Sequence, residues 1–176
     1  IKKVSYNDLR EIQQIRTMIE TESIIDIVSK YDPVVISELE EITAKNEVAI
    51  MNDDLENYEK YDTRFHHHIV SSSANQRMLS LFRTVMSQIR YYFLVLIWNS
   101  DTIRKHEIMN LKNIPISHKC IFEAIKQRDA SQATELMRTH LSKGVERTWQ
   151  MAKMQKLAND NSNNTDDDSE TKLDFV

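Results

Sequence analysis

The sequence predicts an all-α protein, an antiparallel bundle of about six or seven helices followed by a disordered acidic C-terminal tail. Three observations lead there. Of 176 residues only 1 is Gly and 2 are Pro, where average usage gives roughly 12 and 9. Sheets and hairpins lean on glycine at positive φ, so this count favours helices joined by short polar turns. Apolar residues also recur at helical spacing almost throughout, and capping residues stand where those runs begin.

The first helix is expected from about Asp8 to Ser29, with Leu9, Ile12, Ile15, Ile19 and Ile27 on one side. Asp32-Pro33 starts the second, a capping carboxylate followed by proline at the first helical position. That helix turns Val35, Leu39, Ile42, Ala49 and Ile50 inward. Asn52-Asp53 caps a third helix to about Ser71, and Asn75 caps a long fourth through Leu79, Phe82, Val85, Met86, Ile89, Phe93 and Leu96. Ser100-Asp101 opens a short fifth helix and Pro115 a sixth. Asp129 caps a seventh that runs to about Leu157. Beyond it Asn, Ser, Thr and Asp dominate, and residues 158–176 read as a disordered tail. Residues 1–7 read as the end of a linker, and residues 8–157 as the folded domain.

Composition excludes several function classes. A single glycine leaves no GxGxxG or Walker-type phosphate loop. Lys+Arg total 23 against 27 Asp+Glu, a formal net of −4. The tail from Ala158 carries −5 of it, so residues 1–157 stand at +1 with no basic run, a poor match for nucleic acid. One cysteine, Cys120, excludes a disulfide framework and suits a reducing cytoplasm. The longest apolar run, Tyr91 to Trp98, is far too short to span a bilayer, and no signal peptide is expected. The first residue is Ile, so a fragment of a longer protein is expected.

Chemistry enters where polar residues fall on apolar stripes. At 100° per residue, Leu55, Tyr58, Phe65 and Ile69 define the buried face of the third helix. Asp62 and His66 lie inside that face, one turn apart, while His67 points roughly opposite and His68 sits on the flank. His118 is central to the Ile114/Ile121/Phe122/Ile125 stripe of the sixth helix. His140 lies among Ala133, Leu136, Met137, Leu141 and Gly144 of the seventh. His106 follows no stripe and is expected on the surface. Any one of these histidines could be a core side chain satisfied by a carbonyl. A carboxylate and three imidazoles buried together would cost several kcal/mol unless paired or liganded. Three His and one Asp form a normal shell for Zn²⁺, Mn²⁺ or Ni²⁺, and i,i+4 spacing lets Asp62 and His66 meet. Arg16, beside the first-helix stripe, and Arg90, at the edge of the fourth, are candidates to hold a carboxylate bidentately. Snorkelling or salt-bridged arginines would look the same.

The same positions carry a family resemblance. The segments are Glu11-Ile-Gln-Gln-Ile-Arg16-Thr-Met-Ile-Glu20, Tyr61-Asp62-Thr-Arg-Phe65-His66 and Ser73-Ala-Asn75-Gln-Arg-Met-Leu79. Two more follow, His118-Lys-Cys-Ile-Phe-Glu-Ala-Ile125 and Arg128-Asp129-Ala-Ser-Gln-Ala-Thr-Glu-Leu-Met137-Arg-Thr-His140-Leu141. Over about Asp8 to Thr148 the chain resembles the FCD effector-binding domain found C-terminal to the winged helix in GntR-type (FadR subfamily) bacterial transcription regulators. The resemblance implies an all-helical bundle with one divalent metal on Asp62, His66, His118 and His140. It also implies a small organic-acid effector completing the coordination, with Arg16 as its anchor, and a homodimer. Ser-Ala-Asn stands where the family has Ala-Gly-Asn, and the His66-His67-His68 run allows a shifted ligand. Operator DNA is expected to be bound only through an N-terminal winged-helix domain, of which residues 1–7 would be the linker end.

Three readings follow for function. The first is a cytoplasmic, non-enzymatic sensor that binds an organic acid at a buried metal and dimerises, without contacting a membrane. The second is a helical metalloenzyme, against which stand the absence of HExxH and of Glu-x-x-His pairs. The third is a metal-free dimerisation module.

Overall fold

The computed structural model describes residues 5–97 and 117–163. Six helices stand among the described residues: α1 Tyr6–Lys30, α2 Pro33–Met51, α3 Leu55–Ser72, α4 Gln76–Ile97, α5 His118–Lys126 and α6 Ala130–Asn163. The short helix expected at Ser100-Asp101, the expected start at Pro115, and His106 lie outside the described residues, as do residues 164–176.

Local chemistry sets the helix ends. The Asp8 N–H donates to Ser5 Oγ at 3.1 Å, so α1 begins at Tyr6, earlier than Asp8, and takes in part of the expected linker. Asp32 Oδ1 accepts from Val34 N–H at 2.8 Å, with Pro33 as the first helical residue. The cap of α3 is Asp54, which accepts from Asn57 N–H at 3.0 Å, and not the expected Asn52-Asp53. Asp53 itself takes up the turn at φ 54°. Asn75 Oδ1 accepts from Arg77 and Met78 N–H at 3.1 and 3.2 Å. Asp129 Oδ1 accepts from Gln132 N–H at 2.9 Å, and α6 then runs to Asn163, past the expected end at Leu157. Neither Gly nor Pro stands between those two positions to stop it.

With so little glycine, Tyr31 (φ 48°) and Arg128 (φ 59°) also adopt left-handed backbone. These two turns support each other. Tyr31 Oη–H donates to Lys126 O at 2.9 Å, and the Arg128 guanidinium sits 3.9 Å from the Tyr31 ring centroid.

α1 is the central strut, packed on α3, α4, α5 and α6, while α2 lies across α3 and α5. α1 and α6 run antiparallel: Tyr6 packs against Trp149 with tilted rings, and Gln13 Nε2–H reaches Leu141 O at 3.2 Å. The main core joins Ile24, Leu39, Phe65, Ile121, Met137 and Leu141, and a smaller one under α4 joins Ile19, Val70, Leu79 and Phe82. Each such side chain contributes about 1.5–3 kcal/mol by leaving water. Ile15 corrects the expected α1 stripe, being 48% exposed. It lies about 120° around the helix from Leu9, and the interior arc is filled instead by Gln13, Arg16, Glu20 and Ser23. No described helix is long and apolar enough to cross a membrane.

Candidate metal centre

That polar interior of α1 faces the histidines. Asp62 and His66 come from α3, His118 from the first turn of α5 and His140 from the first third of α6. One potential ligand atom from each lies within 4.8 Å of all the others, so the four expected ligands come together. The imidazole centroids are 5.1 Å apart for His66 and His118, 5.3 Å for His66 and His140, and 4.8 Å for His118 and His140. His66 and His118 are sealed at 1% and 2% exposure, and Phe65 stacks on the His118 ring at 4.3 Å. Asp62 and His140 are half-buried and form the open side of the cluster. His67 is exposed and His68 half-buried beside Glu38, as their helical phase requires, so of the triple-His run only His66 enters the cluster.

Hydrogen bonds outside the cluster fix the tautomers. His66 Nδ1–H meets Glu20 Oε2 at 2.5 Å, and the other Glu20 oxygen accepts from Arg16 Nε–H at 2.6 Å. His118 Nδ1–H donates to Asn46 Oδ1 at 3.1 Å, while the Asn46 amide donates to Tyr58 O at 3.3 Å. Both rings therefore turn an Nε2 lone pair toward Asp62. His118 Nε2 is buried without a hydrogen-bond partner, 3.4 Å from Asp62 Oδ1, and His66 Nε2 is 3.9 Å from the same oxygen. Burial holds His118 well below the ordinary histidine range, helped by the charges of His140, His66, Arg16 and Arg147. Burial and then the Arg16 charge do the same for His66, against an opposing pull from Asp62. Neutral rings are the protonation state that a metal ligand needs.

The donor set fits a divalent cation. Acceptors facing one another across 3.4 Å with no proton between them repel. A tetrahedron with bonds near 2.1 Å has edges of about 3.4 Å. The residues that would hold the ion are Asp62, His66, His118 and His140. Glu20 and Asn46 would orient two of them.

Arg16 is buried beside the cluster, with its Nη2 lacking any hydrogen-bond partner. Arg90, the other expected anchor, is exposed on α4. The buried arc of α4 narrows in that turn, where Ile89 is only half-buried and Tyr91 exposed, so the Arg90 side chain lies on the surface. Sequence reasoning missed two supporting residues. Asn46 falls on the Leu39/Ile42/Ala49 stripe, so the test that found the histidines would have found it. Glu20 follows Arg16 by one turn, an i,i+4 pair on a face that the apolar residues alone phase incorrectly.

Comparison with known proteins identifies the architecture. The FCD domain profile matches residues 11–143. The chain belongs to the FCD domain family. FCD domains of GntR-type regulators are non-catalytic ligand-binding modules, so the enzyme reading falls away. One similar solved structure is the metal-free FCD domain of TM0439, a candidate transcriptional regulator. It has a TM-score of 0.68 and 19% identity, covering 87% of this chain and 99% of that one. Another is McbR/YncC of E. coli, with a TM-score of 0.66 and 19% identity, covering 85% of this chain and 68% of that one. At such identities the likeness is one of fold. No curated protein sequence matches the chain.

Proposed function

We propose that this FCD domain is the effector-sensing and dimerisation domain of a GntR-type, FadR-subfamily transcription regulator. It binds a small organic acid at a divalent metal (Zn, Ni or Mn) held by Asp62, His66, His118 and His140. The observation that carries the reading is the buried, partnerless Nε2 of His118 facing Asp62 Oδ1 at 3.4 Å. Arg16 supports the acid: its Nη2 is a buried donor with no acceptor, and its Nε–H holds the Glu20 that bonds His66. Ligand binding would act by favouring one arrangement of a homodimer, and so of attached winged-helix domains that contact operator DNA. A carboxylate on the ion and Arg16 would be held by this chain's Nη2–H, while the Arg16 Nε–H stays on Glu20.

A second reading, a metal-free dimerisation module, draws support from the metal-free TM0439 domain of the same fold. Elemental analysis separates the two. About one equivalent of a divalent metal in the purified chain, lost in the Asp62→Ala/His118→Ala double variant, supports the metal site. Absence of metal after zinc is added back and excess removed would leave the metal-free module.

A further inference from the structure

The side of α1 opposite its polar interior is apolar where it meets solvent. Glu11, Gln14, Ile15, Met18, Glu22 and Ile25 share an arc of about 100°, turned away from Arg16 and Glu20, and all six are exposed. On α4, Arg77, Leu81, Thr84, Gln88 and Tyr91 follow at spacings of four and three in alternation, the repeat of a helix–helix seam. All five are exposed too. The two helices lie side by side and antiparallel. Ile19 packs with Leu79 and Phe82, and Asp26 Oδ2 accepts from Ala74 N–H at 3.2 Å. Ile19 and Asp26 stand beside the Ile15/Glu22 edge of the α1 arc. Met78, packed on the same apolar group as Ile19, stands beside the Leu81 edge of the α4 arc. The two stripes therefore border each other and form one face. Of the nine large apolar side chains exposed among the described residues, five stand on it: Ile15, Met18 at 69%, Ile25, Leu81 at 58% and Tyr91. Single exposed apolar side chains are ordinary, whereas a contiguous group marks a contact surface.

Charge and area say what covers it. The arc of α1 carries Glu11 and Glu22 and no cation, while α4 carries Arg77, Arg83 and Arg90 and no carboxylate. Neither Glu22 nor Arg77 has an ion-pair partner among the described residues. Acid on one helix and base on its neighbour make a surface complementary to itself. A two-fold axis along the groove between them sets α1 of one copy on α4 of the other. Setting α1 on α1, or α4 on α4, would oppose like charges. Two helices with about 33 Å of shared length and a width of about 10 Å each give about 650 Å² per copy, about 1,300 Å² in all. A stable protein interface takes about 1,200–2,000 Å².

We infer that this α1/α4 face is the homodimer contact, closing a four-helix bundle from two copies of the chain. The inference rests on the homodimer in the proposed function and adds its surface. Asp26 stands level with the start of α4, so the two-fold axis places Glu22 against the partner's Arg77 and Met18 against the partner's Leu81. α1 then carries Arg16 and Glu20 on one side and the dimer contact on the other.

Sedimentation equilibrium of the chain tests it, with a mass of twice 20.7 kDa expected for the wild type. Met18→Glu/Leu81→Glu should sediment as a monomer with unchanged helicity by circular dichroism, because both side chains are exposed. Glu22→Arg and Arg77→Glu should each weaken the dimer about tenfold or more, and the Glu22→Arg/Arg77→Glu exchange should recover it. Glu22→Arg/Arg138→Glu has the same net charge but alters an exposed position of α6, and should not. If Met18→Glu/Leu81→Glu loses helicity, the charge exchange decides alone. A dimer unmoved by the apolar pair or the single exchanges, or not recovered by the double exchange, overturns the α1/α4 assignment and leaves the homodimer standing. A wild type that is monomeric at every concentration overturns both and leaves the face to a different protein.

Discussion

Glu20→Gln is the most informative single substitution, because two opposing effects act on that carboxyl group. Burial pushes Glu20 above the usual carboxylate range, opposed by the charge and hydrogen bond of Arg16 and by the charge of His140. Were that rise enough to keep its proton, Glu20 would be a neutral acid and glutamine a nearly silent isostere. The geometry argues the other way. Glu20 accepts from Arg16 Nε–H at 2.6 Å and from His66 Nδ1–H at 2.5 Å, with 0% of its side chain exposed. Glutamine offers one acceptor to two donors and leaves Arg16 as a buried charge. One charge-assisted bond is worth about 1.5–3 kcal/mol, and breaking one side of a buried ion pair costs about 3–5 kcal/mol. These overlap, so the expected loss is about 3–5 kcal/mol, or roughly 10 °C in Tm for a domain of this size. Urea unfolding in EDTA measures it without the metal. A chelator competition then reads zinc affinity, which should fall about 10–100-fold as the His66 ring loses its orienting partner. A stability loss under about 0.5 kcal/mol together with unchanged zinc affinity would mean that Glu20 is neutral and does not orient His66.

Four further outcomes are expected. Asn46→Ala leaves the His118 Nδ1–H without its acceptor, so stability should drop by about 1–3 kcal/mol in urea and zinc affinity by about 10-fold or more. Arg16→Lys keeps a cation for Glu20 but loses the fork, so carboxylate affinity by calorimetry should fall about 10-fold while elemental analysis still finds the metal. Gly144→Ala meets no neighbour, and should raise the unfolding free energy of the metal-free chain by about 0.5–1 kcal/mol. His66 and His118 are held below the ordinary histidine value in the fold, so the unfolded chain binds protons that the folded one refuses. Their contribution is complete above pH 6.5 and is lost as pH falls below it, by up to about 2.7 kcal/mol per pH unit for the pair. Equal urea midpoints at pH 7.5 and 5.5 in EDTA would contradict this.

Helix identity was legible because period and capping are local. Asp32-Pro33, Asn75 and Asp129 each mark a helix start that the structure repeats. Boundaries that depend on the turn itself were not. Asp53 takes left-handed backbone and hands the cap to Asp54, a choice made by the geometry between α2 and α3. The four clustered side chains were legible for a related reason: a polar residue on a strong apolar stripe declares itself, as His66 does between Phe65 and Ile69. α1 has no such stripe. Its interior face is more than half polar, so apolar spacing placed Ile15 inside, and Glu20 passed unnoticed although its helix was correctly found.

The polar face of α1 is also the strongest argument that the cluster is a site and not a packing accident. Gln13, Arg16, Glu20 and Ser23 occupy positions where Leu or Ile would add about 1.5–3 kcal/mol each, and a buried ion pair seldom outperforms apolar residues of similar volume. A bundle that only had to dimerise would gain by replacing them. What these residues do instead is directional. Glu20 fixes which nitrogen of His66 faces Asp62, and Arg16 holds Glu20 with Nε–H while keeping a second N–H in reserve. Asn46 does for His118 from α2 what Glu20 does for His66 from α1. Two helices that contribute none of the four clustered side chains thus orient two that do. Such an arrangement couples whatever binds the four ligands to α1, the helix that packs on α3, α4, α5 and α6 alike. A carboxylate taken by the Arg16 Nη2–H, with Nε–H still on Glu20, would therefore pull on a contact at the centre of the bundle, where a small shift is passed to every helix packed against it.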